Sequence, residues 1–222
     1  MKDLKDVLAR VDHTLLGITA TSEDYIKLCE EGLKFNTASV CVPPSRVKLC
    51  ADYTKGKIPI CTVIGFPNGY QDSETKAFES KLAIKQGAAE IDMVIDIGKV
   101  KEYDYNSVLQ DIVHVRLATD GYILKIIIET AVLTQDEKIE LCKIVNESGA
   151  DYIKTSTGFS TAGATAADIE LLRKYSSSHV KVKAAGGIST IEDAKLFIDL
   201  GADRLGTSRI VKLAEGLEAN GY

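Results

Sequence analysis

Lys154 closes a short stretch, Ala150-Asp151-Tyr152-Ile153-Lys154, that then breaks into Thr155-Ser156-Thr157-Gly158. A strand enclosed on both faces cannot hold an ammonium group without partners, because desolvation disfavours the charged form. Such a lysine either points outward into water or is an internal amine with a lowered pKa, as Schiff-base chemistry needs. Lys183 repeats the arrangement just ahead of Ala184-Ala185-Gly186-Gly187, and Asp12, Asp92 and Lys125 also fall inside strand-like stretches. Taken singly, each lysine reads first as a solvated side chain, and each aspartate as an ion-pair partner or a strand-end cap. Taken together they read differently. Two internal ammonium groups close together lower each other's pKa, which frees one amine to attack a carbonyl. Carboxylates beside them stabilise the partner that stays charged and relay protons. Lys154 is the better nucleophile, since the small residues after it leave room for a small carbonyl compound; Lys183 is the better perturbing neighbour.

Two glycine turns add a second kind of chemistry. Gly186-Gly187-Ile188 and Gly206-Thr207-Ser208 each stand ahead of a helical stretch. Backbone N–H groups at such turns make an anion site without net positive charge, although the glycines could equally serve only tight turns. Beside a lysine pair, both together suggest a phosphorylated small carbonyl substrate. Cys41 and Glu129 could line the same pocket, while His13, one residue from Asp12, should face the opposite way and pack.

These side chains need a scaffold. Strand-like stretches occur at Val11–Leu16, Ala38–Val42, Pro59–Ile64, Glu90–Asp96, Leu124–Glu129, Ala150–Lys154, Val180–Ala185 and Asp203–Thr207. Helical stretches separate them: Ser22, as an N-cap, to about Gly32; one opened by Pro43-Pro44-Ser45; Ser73–Gln86; Asn106–Ala118; one capped by Thr134 with Glu137; Ala166–Tyr175; Ile191–Leu200; and one to about Leu217. The spacing of Thr134 and Glu137 is that of a capping box. Gly87, Gly149 and Gly201 each close a helix and lead straight into a strand, a device glycine serves by adopting the left-handed conformation. Strict strand–helix alternation implies parallel strands joined by right-handed crossovers. The expected fold is therefore a (β/α)8 TIM barrel spanning residues 1–222 as one domain, with a short amino-terminal helix and a site at the carboxyl ends of its strands. A doubly wound sheet is the alternative, but no G-x-G-x-x-G follows any strand.

Composition narrows the partners. The net charge of −5 and the absence of a Lys/Arg run argue against nucleic acid. No apolar run approaches the ~20 residues of a membrane span, and the charged amino end is no secretory signal, so a cytoplasmic protein is expected. Five cysteines without a C-x-x-C pair suggest free thiols, and three scattered histidines offer no zinc motif. Neither a cofactor nor a metal is expected. Partners should be small molecules, with a homodimer or higher homo-oligomer open to such a barrel.

The chain resembles the deoxyribose-phosphate aldolase family. The resemblance rests on Asp12-His13-Thr14-Leu15-Leu16, Ser39-Val40-Cys41-Val42, Val63-Ile64-Gly65-Phe66-Pro67, Glu90-Ile91-Asp92-Met93-Val94-Ile95, Tyr152-Ile153-Lys154-Thr155-Ser156-Thr157-Gly158 and Lys183-Ala184-Ala185-Gly186-Gly187, in that order. It implies a class I aldolase that reversibly cleaves 2-deoxy-D-ribose 5-phosphate to acetaldehyde and D-glyceraldehyde 3-phosphate. By motif it implies Lys154 as the Schiff-base lysine, Lys183 as its perturbing neighbour, Asp92 as the proton-transfer carboxylate and Asp12 as its assistant. Gly186, Gly187, Gly206 and Ser208 would bind phosphate. Tyr222, the last residue, would reach into the site as the terminal tyrosine does in some members. The chain departs from the pattern at Phe159, where some members carry a lysine, at Pro43-Pro44, and at Asp96, where asparagine is frequent. Two rivals remain: another Schiff-base barrel such as a transaldolase, and a non-catalytic sugar-phosphate sensor.

Overall fold

The computed structural model describes residues 4–216. Its eight strands are β1 (Val11–Thr14), β2 (Ser39–Val42), β3 (Ile60–Ile64), β4 (Glu90–Val94), β5 (Ile123–Ile127), β6 (Tyr152–Lys154), β7 (Lys181–Ala185) and β8 (Arg204–Thr207). They pair in parallel in chain order, and β8 returns to β1 to close the barrel. Around it run α1 (Leu4–Leu8), α2 (Ser22–Phe35), α3 (Val47–Thr54), α4 (Ser73–Lys85), α5 (Ile97–Lys101), α6 (Tyr105–Ala118), α7 (Gln135–Glu147), α8 (Ala166–Tyr175), α9 (Ile191–Asp199) and α10 (Arg209–Ala214). No helix among the described residues is long and apolar enough to cross a membrane.

Strand residues alternate between the two faces of the sheet. One set, including Val40, Ile91, Met93, Leu124, Ile126, Ile153, Val182 and Leu205, is buried in the apolar layer between barrel and helices. The residues between them face the barrel axis: Asp12, Ser39, Cys41, Cys61, Glu90, Asp92, Lys125, Tyr152, Lys154, Lys183 and Arg204, all but the last buried. The core of this barrel is thus a shell around the strands, and its axis is polar.

Several element ends differ from the sequence expectation. Thr21, not Ser22, caps α2: its hydroxyl accepts from the Asp24 N–H, and the Asp24 carboxylate accepts from the Thr21 N–H at 2.7 Å. The helix then runs past Gly32 to Phe35, because the left-handed turn that stops it falls at Asn36 (φ 51°). Gly32 answers a packing need instead, since a Cβ there would lie 2.7 Å from Val40 Cγ1. The extra helix α5 is capped by Asp96, which accepts from the Gly98 N–H at 2.8 Å. Thr134 and Glu137 do form the capping box of α7. Gly87 and Gly201 each sit one residue beyond the helix cap at φ near 110°, and the following N–H groups of Ala88 and Ala202 reach back to Ala83 and Phe197. Those bonds are the Schellman pattern.

Candidate active site

Strand register brings the axial side chains together. Lys154 on β6 lies opposite Ile127 of β5 and Lys183 of β7, and Asp92 on β4 lies opposite Lys125 of β5. Their side chains meet across the barrel. Asp92 is the hub: its Oδ2 accepts from Lys154 Nζ at 2.8 Å and from Lys183 Nζ at 2.6 Å. Its Oδ1 accepts from Lys125 Nζ at 2.6 Å and from the Cys61 thiol at 3.2 Å. Asp12 pairs with Lys183, accepts from Ser39 Oγ at 2.7 Å, and accepts from Arg204 Nη1 at 2.5 Å. Glu90 faces Lys125 at 2.7 Å and Arg204 at 3.2 Å.

Four cations, Lys125, Lys154, Lys183 and Arg204, therefore share three carboxylates, Asp12, Glu90 and Asp92. The sharing is unequal. Lys125 faces all three carboxylates and Lys183 faces two, whereas Lys154 touches Asp92 alone. Lys154 is also the lysine of the three that retains some exposure, 3% against 0% for the others.

The electrostatics follow from these contacts. Burial opposes ionisation of Asp92, but the Lys125, Lys154 and Lys183 ammonium groups outweigh it and hold the carboxyl well below its usual range. Burial likewise opposes ionisation of Asp12, and Lys183, Lys125 and Arg204 together bring it below the ordinary carboxylate value. Both are therefore held as anions. Lys183 does not follow the expectation that paired ammonium groups depress one another. Burial works against its charge, yet Asp12 and Asp92 in contact raise its pKa, and Lys125 is raised further by Asp92 and its other carboxylates. Burial also pushes the Cys61 thiol well up, so it serves Asp92 as a hydrogen-bond donor.

The segment beyond Lys154 is fixed from both sides. Thr155 N–H bonds Lys183 O at 3.1 Å, and its hydroxyl accepts from the Ala185 N–H at 3.0 Å. Glu129, held in the left-handed region at φ 54°, accepts from the Thr157 N–H at 3.1 Å and from the Thr157 hydroxyl. Glu129 is thus a buried strut of the rim. Cys41 faces the axis with Cys61 and Val63, against which Leu16 and Phe66 pack. Phe159, 52% exposed, lies edge-on to Phe66 with ring centroids 5.3 Å apart. The mouth accordingly has an apolar wall over β1–β3.

The wall over β7 and β8 is made of glycine turns. Gly186 and Gly187 take φ of 71° and 73°, and the Gly163-Ala164 backbone packs straight onto them. Ser208 follows β8 with its hydroxyl oxygen buried and without a protein partner among the described residues. Gly206 lies within β8, where a Cβ would meet Ala185 Cβ at 3.1 Å and Lys183 Cε at 3.3 Å, so its bareness makes room for the lysine. His13 faces outward, its Nε2 2.7 Å from Glu31 of α2. Tyr222 lies outside the described residues. The sequence places Lys125 inside a strand without giving it a role, and does not single out Glu90, Arg204 or Cys61 for the site. The signal for two of them was the two-residue step that puts Glu90 on the face of Asp92, and Arg204 on that of Gly206.

Cys41, Cys61 and Asp92, and likewise Asp12, Cys61 and Glu90, place ligand atoms within 4.8 Å of one another. The position is already served: Asp92 and Glu90 face Lys125, so a divalent ion there would have to displace an ammonium group.

The chain is similar to known aldolases along nearly its whole length. A family model described as DeoC/LacD family aldolase matches residues 7–209. A deoxyribose-phosphate aldolase from Streptococcus pyogenes serotype M4 is 54% identical over 213 residues, covering 96% of each chain. A crystal structure from Coccidioides immitis superposes with a TM-score of 0.93 at 39% identity, over 97% of this chain and 87% of that one. The tetrameric deoxyribose phosphate aldolase of Aeropyrum pernix superposes with a TM-score of 0.89 at 30% identity, over 96% of this chain and 92% of that one. With a lysine-lined barrel axis and a family match along nearly its whole length, the chain belongs to the DeoC/LacD aldolase family.

Proposed function

We propose that the chain reversibly cleaves 2-deoxy-D-ribose 5-phosphate to acetaldehyde and D-glyceraldehyde 3-phosphate, with Lys154 as the Schiff-base nucleophile. The observation that carries the assignment of Lys154 is the unequal sharing of carboxylates: it touches Asp92 alone, while Lys183 and Lys125 are each held by two or more. Releasing one proton from Lys154 also leaves three cations against three carboxylates along the axis.

The free amine adds to the C1 aldehyde of the open-chain sugar to give a carbinolamine, and loss of water gives an iminium. Its positive nitrogen takes the electron pair of the C2–C3 bond as that bond breaks, while the C3 hydroxyl gives up its proton and becomes the aldehyde of glyceraldehyde 3-phosphate. The remaining enamine takes a proton at C2, and water then releases acetaldehyde and the amine. Lys183 is the ammonium placed to supply protons and Asp92 the anion placed to accept them, with Asp12 holding Lys183. Gly186, Gly187 and Ser208 receive the phosphate through backbone N–H groups and the buried hydroxyl, and Gly206 leaves the space in which Lys183 reaches the substrate. No cofactor takes part. Tyr222 is assigned to the proton step at the acetaldehyde methyl.

The one-domain barrel would work in a homo-oligomer, a reading supported by the tetrameric Aeropyrum relative. A cytoplasmic setting fits its free buried cysteines. Borohydride reduction in the presence of acetaldehyde, followed by peptide mass spectrometry, tests the central assignment. An ethyl adduct on Lys154 is expected. An adduct on Lys183 would exchange the two lysine roles, and no adduct on folded, ligand-binding protein would remove the Schiff base.

A further inference from the structure

At the end of the barrel away from the proposed site, the amino-terminal ends of the strands surround a cavity of about 460 Å³. Its lining includes Asp6, Arg10, Tyr152, Lys181, Asp203 and Arg204. Three of these are cations, in a chain whose net charge is −5. Neither Arg10 nor Lys181 has a carboxylate within ion-pair distance among the described residues; Lys181 lies only over the Tyr152 ring, 5.6 Å from its centroid. The acids of the lining do not answer them. Asp203 is spent on the Val182 N–H at 2.9 Å and on Arg173 at 3.6 Å. Asp6 stands exposed on α1. Arg204 forms the roof: its guanidinium also lies over the Tyr152 ring, 5.6 Å from the centroid, while Nη1 reaches up to Asp12 and Glu90.

We infer that this floor cavity binds a small polyanion of the phosphate class, held by Arg10 and Lys181 beneath the Arg204 guanidinium. Cations gathered in a concave lining raise the local concentration of anions even when the protein as a whole repels them. The volume lies within the range of small-molecule sites. A bound anion also competes for Arg204 with Asp12. Asp12 then concentrates on Lys183 and holds its proton more tightly, so the floor acts on the proton donor of the proposed reaction.

Inorganic pyrophosphate is the probe, titrated calorimetrically into the full chain at low salt. Saturable binding is expected, weakened at least tenfold in R10A/K181A and equally in R10Q/K181Q, which keeps more of each side-chain stem. Binding should survive S208E, which places a carboxylate at the opposite mouth. A wild type that takes up no pyrophosphate, or binding lost in S208E and kept in R10A/K181A, overturns the site. The coupling rests on the proposed activity and is read separately. Turnover at saturating sugar phosphate should fall when pyrophosphate is added to the wild type and not to R10A/K181A; unchanged turnover in both overturns the coupling while leaving the calorimetric result standing.

Discussion

Asp12 illustrates how much one axial carboxylate carries. It never touches Lys154, yet it binds Lys183, Arg204 and Ser39, and it lies 3.8 Å from Lys125. Asp12→Asn keeps the shape and removes the charge, leaving Lys183 and Arg204 facing fewer anions in a buried setting. Removing one partner of a buried ion pair costs ~3–5 kcal/mol. The expected outcome is a loss of about that size in urea unfolding, with turnover falling more steeply than substrate affinity, because Asp12 positions the proton donor and leaves the phosphate turns untouched. A variant that keeps full turnover would take Lys183 out of the proton path. At this scale the sequence was legible for Lys154, Lys183, Asp92 and Asp12, whose charge is out of place in a strand. It was less legible for Gly206, which reads as a phosphate turn and whose bareness within β8 also gives clearance to Lys183.

At the scale of the element, the β6–α8 connection and the β7–α9 connection form one unit. A Cβ at Gly163 would fall into the Gly186 carbonyl carbon and within 2.5 Å of the Gly187 nitrogen. Backbone cannot give way as a flexible side chain can, so Gly163→Ala should force the two glycine turns apart. We expect at least a tenfold rise in KM for the phosphorylated sugar, with a much smaller change for 2-deoxyribose lacking the phosphate; steady-state kinetics on the two substrates reads the difference. An equal effect on both would show that the turns hold Lys154 rather than phosphate. Strand and helix order was readable from the alternation of patterns, and α8 falls at its expected bounds. What could not be read was contact across the chain. Gly163 looks like loop filler until Gly186 is known to lie against it, and Glu129 looks like a pocket acid until Thr157 is seen bonded to it. The cap of α2 shifted by one residue for a similar reason, since Thr21 and Ser22 offer the same hydroxyl and only backbone geometry separates them.

Over the whole molecule, the axial charges set the pH range of stability. Asp12 and Asp92 have folded pKa values below their ordinary 3.8, so their stabilisation is present above that value and is lost as pH falls through the folded values. Lys125 and Lys183 are raised above 10.5, so theirs is present below that value and is lost as pH rises through the folded values. Both contributions are therefore present between those two values. Denaturation midpoints should stay level from about pH 5 to pH 9 and fall towards acid, since the carboxylates must be protonated to unfold. A maximum inside that range, with a slope near pH 7, would show that another group governs stability.

The polar axis has one more consequence. Mobile salt weakens charge interactions over ~8 Å at physiological ionic strength, but only where ions can enter. Here the strands form a sleeve around the carboxylates and ammonium groups, sealed outside by the apolar layer, so the protein carries its own fixed counterions. Chemistry at the centre is thereby insulated from the ionic make-up of the surrounding medium, while the two ends of the barrel, where charge meets water, remain open to it.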